Sequence, residues 1–272
     1  VVYEVKRLSS EGVREFNLIA QDSSFYGRDL NDGTTLARLL KELVKIDNVK
    51  WIRLFYLYPT YFDDELLEII TKEEKICKYV DIPLQHISDS VLRRMHRRDS
   101  SQSIKKLLKK LRNTTPYITI RTTLMVGFPG ETEADFKELL TFIKAVKFDN
   151  MGAFTYSAQD GTPAARMVDQ VTEEIKENRY HELMAAQAEI SEENNRNLIG
   201  VDTEVLVEEL LDDGCGNLQA KGRASFQAPE VDGNVYIDHP GDLRPGDFVK
   251  AHIIDGYAYD LIAERITTDR GI

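Results

Sequence analysis

"RTTLMVGFPGETEADF", residues 121–136, reads as a strand, a tight glycine turn and the start of a helix. Residues 122–126 are β-branched or apolar. Gly127 and Gly130 bracket Phe128-Pro129, and Thr132 with Asp135 has the spacing of a capping box for the helix that follows. A strand that passes through a glycine turn into a helix is half of a β–α repeat. The flanking sequence decides whether the repeat continues.

It continues in both directions. "REFNLIA" (14–20), "WIRLFYL" (51–57), "KYVDIPL" (78–84), "YITIRTTLMV" (117–126) and "GAFTYS" (152–157) are predicted strands. Between them, residues 34–46 place Leu36, Leu39, Leu40 and Leu43 on one helical face, and 63–70, 101–112 and 133–147 are further helices. Residues 172–198 form a long polar helix, and 1–11 end a helix that Gly12 stops. Strands alternating with helices imply a parallel sheet with right-handed crossovers. A β–α unit begins with its strand, yet this chain enters on a helix. A first strand and its loop are therefore expected upstream of Val1.

After about residue 200 the pattern changes to short alternating segments: "TEVLVEELL", "LQAKGRASF", "GNVYID", "DFVKAHIID" and "YAYDLIAERI". Asp213-Gly214, Asp232-Gly233, Pro240-Gly241, Pro245-Gly246 and Asp255-Gly256 supply turns. The expected organisation is an α/β core over 1–200 and a small antiparallel β-barrel over 201–267.

Of 272 residues, 42% are apolar and 30% charged, an ordinary globular balance. The two cysteines, Cys77 and Cys215, lack metal-like spacing, which argues against a disulfide framework and fits a reducing compartment. No apolar run reaches the ~18 residues of a membrane span. A cytoplasmic protein is expected, with no membrane partner. Net charge is −11, and residues 202–266 hold fourteen Asp/Glu against five Lys/Arg. Nucleic-acid binding leaves a basic footprint; an acidic module attracts a basic partner or aids solubility.

In a parallel sheet, chemistry gathers at the carboxyl ends of the strands. There the sequence places Gln21-Asp22-Ser23-Ser24, Tyr58-Pro59, Gln85-His86, Ser88-Asp89, Gly127-Phe128-Pro129-Gly130 and Ser157. Each has a plainer reading. The glycines and proline serve turns, His86 is a satisfied structural histidine, and Ser88 and Asp89 cap a helix. "RRMHRRD" (93–99) is a solvated basic face, Cys77 a core residue, and Cys215 incidental. No Ser-His-Asp set, phosphate loop or HExxH is present.

Read together, "LIAQDSSFYG" (18–27), "YVDIPLQHISDSVLRRMHR" (79–97), "RTTLMVGFPGETEADF" (121–136) and "GAFTYSAQDGTPAARM" (152–167) resemble the radical S-adenosylmethionine methylthiotransferases, and the region from 202 resembles a TRAM domain. "PLQHISD", "APEVDG" (228–233) and "YDL" (259–261) are similar to the branch that modifies an aspartate on protein twelve of the small ribosomal subunit. The resemblance implies a partial parallel (β/α)6 barrel that binds S-adenosylmethionine. It implies two 4Fe-4S clusters in the full-length enzyme, an electron donor, and a deoxyadenosyl radical that takes hydrogen from the aspartate β-carbon. It places Gln21, Asp22, Gln85, His86, Phe128, Pro129 and Ser157 around the cofactor, with Gly127 giving close backbone approach. Arg97 meets the cofactor carboxylate or a loop acid. The family's CxxxCxxC loop is absent, so the cluster cysteines are expected upstream of Val1, none in this chain, and this chain alone is expected to be inactive. Asp232, Asp238, Asp242 and Asp247 are candidate docking residues for a basic ribosomal protein. The alternatives are a tRNA methylthiotransferase, which the acidity disfavours, an aldolase-like barrel, and a scaffold without catalysis.

Overall fold

The computed structural model describes residues 1–212 and 218–267. Cys215 and the Asp213-Gly214 turn lie outside them. Two compact units divide within one long helix, between Gln187 and Ala188.

In the first unit, α1 (Val2–Ser10) precedes β1 (Glu15–Leu18), α2 (Leu36–Leu43), β2 (Trp51–Leu54), α3 (Asp64–Lys72) and β3 (Ile76–Asp81). Then come α4 (Asp89–Arg94), α5 (Ser101–Arg112), β4 (Thr119–Val126), α6 (Glu133–Val146), β5 (Asn150–Thr155) and α7 (Glu173–Arg196). The five strands pair in chain order, all parallel. The β–α repeat thus forms as expected, with strands shorter than their apolar runs: "WIRLFYL" ladders only over Trp51–Leu54 before its loop. The helices start where the sequence supplies caps. Thr35, Asp63, Ser100 and Thr132 each accept a backbone N–H at a helix N-terminus, and Thr132 with Asp135 completes a capping box.

Alternate residues of each strand face the helices. Ile52, Leu54, Val80, Ile120, Leu124, Val126, Met151 and Ala153 join Leu40, Leu43, Ile70, Leu111, Leu139 and Ile143 in one core. The inner face carries the other set, and it is charged and aromatic. Arg53 is fully buried there, between the Trp51 and Tyr79 rings and 3.2 Å from Glu15.

The second unit is a closed barrel of β6 (Asp202–Asp212), β7 (Leu218–Ala224), β8 (Val235–Asp238), β9 (Phe248–Gly256) and β10 (Leu261–Arg265), in the order β10-β8-β7-β6-β9. Val205, Val207, Ala220, Val235, Ile237, Val249, Ile253 and Leu261 fill it. The expectation of an antiparallel barrel holds for four pairs, but β8 and β10 run parallel. Parity requires this: around a closed ring the number of antiparallel pairs is even, so five strands leave one parallel pair.

Candidate functional site

A cavity of about 380 Å³ opens at the carboxyl ends of β3 and β4. Met95, Met125, Phe128, Pro163, Ala164 and Met167 give it an apolar wall, and Tyr58, Gln85, Arg94, His96, Arg97 and Thr162 a polar one. Past Asp81 the chain rejoins the β4 edge at Gln85, whose N–H donates to the Thr123 carbonyl (2.9 Å) and whose carbonyl accepts the Met125 N–H (2.7 Å). Gln85 holds φ +69° there, and His96 on the same wall holds φ +55°. Left-handed backbone is costly for residues with a Cβ and concentrates where structure serves a site.

Arg97 crosses the polar wall. Its guanidinium lies 4.3 Å over the Tyr58 ring, donates to Tyr58 Oη (2.6 Å) and to the Pro83 carbonyl (2.7 Å), and stands 3.9 Å from Asp99. Its Nε is buried with no partner among the described residues. An unpartnered buried donor on a cavity wall asks for an acceptor from a ligand.

The apolar wall depends on the glycine turn. Gly127 and Gly130 hold φ +74° and +81°, and a Cβ on Gly127 would stand 2.2 Å from Lys176 Cγ. Phe128 meets Tyr156 edge-to-face at 5.1 Å. Beneath the turn lies Glu131, whose side chain is fully buried. Its Oε2 accepts the N–H groups of Gly127 (2.7 Å) and Phe128 (3.3 Å), and its Oε1 accepts Arg179 Nη1 at 2.9 Å. Burial pushes the Glu131 carboxyl up, and the guanidinium and the two N–H donors pull it back. Sequence reasoning missed Glu131, Lys176 and Arg179. The last two are buried inside a helix that reads as polar all round, so their spacing carries no signal.

The Radical SAM superfamily model matches residues 1–143, and the TRAM domain model matches 199–266. The chain belongs to the radical SAM superfamily. It is 49% identical over 261 residues, 96% of its length, to ribosomal protein uS12 methylthiotransferase RimO of Geotalea uraniireducens (strain Rf4), and covers 58% of that protein. It is 50% identical over 97% of its length to the protein of the same name from Pelobacter propionicus (strain DSM 2379 / NBRC 103807 / OttBd1), again covering 58%. The chain therefore spans less than two thirds of these relatives. Among solved structures, coproporphyrinogen III oxidase (HemN) from Escherichia coli, described as a radical SAM enzyme, shares the fold: TM-score 0.52 and 14% identity, over 74% of this chain and 46% of that one.

In this radical SAM chain, Gln85, Arg97 and Phe128 line the cavity, and Gly127 and Pro129 form the turn behind it. Gln21 and Ser157 are exposed, and Asp22 accepts Ser24 Oγ; none of the three lines the cavity. In the second unit, Asp238 accepts Gln219 Nε2, Asp242 pairs with Arg265, Asp247 accepts the Arg244 N–H, and Asp232 accepts the Ala228 N–H. The Asp232 and Asp247 contacts hold turns, the Asp238 contact crosses from β8 to β7, and Asp238, Asp242 and Asp247 stay exposed.

The cavity fits a nucleoside with a charged tail: soft thioether and aromatic walls on one side, Gln85 and the unpartnered Arg97 Nε on the other. An iron–sulfur cluster does not fit the described residues. No group of three His, Cys, Asp or Glu among them can hold a metal ion, and Cys77, the described cysteine, is 2% exposed.

His86 is buried completely. Its Nδ1 accepts the Ser88 N–H at 2.9 Å, which assigns the proton to Nε2, 3.8 Å from Glu131 Oε2. Burial pushes the ring down to about 4 from 6.5, against the pull of Asp135. Between those values the unfolded chain binds a proton that the folded chain refuses. His86 therefore leaves stability intact above pH 6.5 and lowers it as pH falls toward 4, by up to ~1.4 kcal/mol per pH unit. Urea midpoints at pH 7 and pH 5 are expected to fall further apart in the wild type than in His86→Gln.

Proposed function

We propose that this chain is the catalytic core and barrel of an enzyme that methylthiolates the β-carbon of an aspartate on ribosomal protein uS12. One observation carries the reading: about half of the residues are identical, across nearly the whole chain, to relatives named ribosomal protein uS12 methylthiotransferase. The cavity and the charge support it from chemistry.

S-adenosylmethionine bound in the cavity would supply radical chemistry able to take a hydrogen atom from carbon. The protein's part is placement. Met125, Phe128 and Met167 take the adenine, and Gln85 takes a polar edge of the nucleoside. Arg97 Nε donates to the carboxylate, its planar fork fixed by Tyr58 and Pro83. The thiolates of two 4Fe-4S clusters and the electron donor come from outside the described residues.

The acidic barrel is the docking module. Fourteen acids against five bases over 202–266 draw a basic ribosomal protein and repel tRNA. Asp232, Asp238, Asp242 and Asp247 belong to that surface. The enzyme works in the cytoplasm, and no helix among the described residues is long and apolar enough to cross a membrane.

The test is intact mass spectrometry of uS12 after incubation with the full-length protein, S-adenosylmethionine and a low-potential reductant. The expected gain equals one methylthio group replacing one hydrogen, located on an aspartate by fragmentation. An unmodified uS12 beside a modified tRNA would overturn the reading.

A further inference from the structure

Buried parallel strands are normally covered on both faces, yet Phe154, inside β5, is 61% exposed. The alternation of both strands identifies its face. On β4 Arg121, Thr123 and Met125 are half-buried and point away from the helices, while Ile120, Thr122, Leu124 and Val126 are buried. On β5 the matching inner set is Asn150, Gly152 and Phe154. The register pairs Arg121 with Asn150, Thr123 with Gly152 and Met125 with Phe154. Met125 lines the cavity. The exposed ring is therefore the next inner-face residue beside the cavity wall.

Gly152 adopts ordinary backbone geometry, so conformation does not demand a glycine there. What it leaves is room: a Cβ would stand 3.4 Å from Arg121 Nη2 and 4.0 Å from Thr123 Oγ1. The strip thus has a cation at one end, a notch in the middle and an aromatic ledge at the other end, adjoining the cavity. Arg121 Nε also lies 3.7 Å from Asp81. A carboxylate carried into such a site needs a cation beside it.

We infer that this strip is the target subsite: the polypeptide substrate lays its chain against Phe154, and an acidic side chain enters the Gly152 notch toward Arg121. The inference rests on the proposed function, and it names the residues that would present the reacting side chain to the cavity.

Phe154→Ala removes the ledge, Phe154→Leu restores apolar contact, and Gly152→Val fills the notch with a residue suited to strands. In the full-length protein, S-adenosylhomocysteine binding would be measured by calorimetry and affinity for isolated uS12 by biolayer interferometry. Phe154→Ala and Gly152→Val are expected to bind S-adenosylhomocysteine within about twofold of wild type and uS12 about tenfold more weakly, with Phe154→Leu recovering most of the loss. Unchanged uS12 affinity in both variants would overturn the subsite and leave the proposed function standing. Loss of S-adenosylhomocysteine binding in Phe154→Ala would also overturn it, by moving the ring into the cofactor wall. A wild-type protein that does not bind uS12 would overturn the proposed function and the subsite together.

Discussion

Replacing Arg179 by Met is expected to destabilise the α/β unit by about 3–5 kcal/mol, the cost of leaving one member of a buried ion pair without its partner. Arg179 is 7% exposed and Glu131 5% exposed, so neither charge can turn to water. In the variant, Glu131 keeps the Gly127 and Phe128 N–H groups but loses its guanidinium. Glu131→Gln alone leaves Arg179 with the exposed Glu133 carboxylate, 3.6 Å from its Nη2, and is expected to cost less than Arg179→Met. The double variant Glu131→Gln, Arg179→Met should recover much of the loss. The side-chain amide carbonyl that replaces the carboxylate can still accept the turn N–H groups, and no buried charge remains unpaired. A double-mutant cycle read by urea denaturation therefore shows strong positive coupling. Additive single losses would mean that Glu131 and Arg179 stabilise separately. Phe128 follows Gly127 on the cavity wall, so the same clamp that holds the fold also sets the wall the nucleoside would meet.

That clamp marks the boundary of what the sequence discloses. The β–α repeat is legible because apolar periodicity is a property of local spacing, and Thr132 with Asp135 is legible because a capping box lies within four residues. Gln85 could be placed at a strand end by chain order, whereas Arg97, beyond α4 in a run that reads as a solvated basic face, is marked only by the family resemblance. Other features depend on contacts between distant segments. Lys176 and Arg179 look like solvated helix residues until Tyr156, Phe136 and Glu131 are brought beneath them. Arg53 sits inside an apolar run, and nothing in "WIRL" tells that Trp51 and Tyr79 flank it. The exposure of Phe154 is equally invisible, because "GAFTYS" reads as a fully covered strand. The parallel β8–β10 pair follows from closing an odd number of strands, and turn residues record no such count.

Gly233→Ala is expected to cost the barrel more than the ~1–3 kcal/mol of ordinary overpacking. The clash is with backbone: a Cβ on Gly233 would stand 1.5 Å from the Tyr259 carbonyl oxygen and 2.4 Å from its carbon. That carbonyl cannot move aside. Asn234, next in the chain, donates its N–H to Asp260 Oδ1 at 2.8 Å and accepts the Leu261 N–H at 2.9 Å, so the two segments are stitched on both sides of the contact. Separating them would pull apart the parallel β8–β10 pair, where Leu261 registers with Val235, and that pair closes the barrel. Gly246→Ala is the matched control. Gly246 holds φ +95° with nothing within 4 Å of an added Cβ, so its substitution meets only the left-handed conformation, about 1–2 kcal/mol. Urea unfolding of both variants separates the two causes. A larger loss for Gly233→Ala, with exchange protection lost at the Leu261 amide, places the requirement for glycine in close approach. Gly233 is outside the left-handed region, so a loss no larger than that of Gly246→Ala would mean that the Tyr259 segment yields to the added methyl, and the "APEVDG" string would then be an ordinary turn.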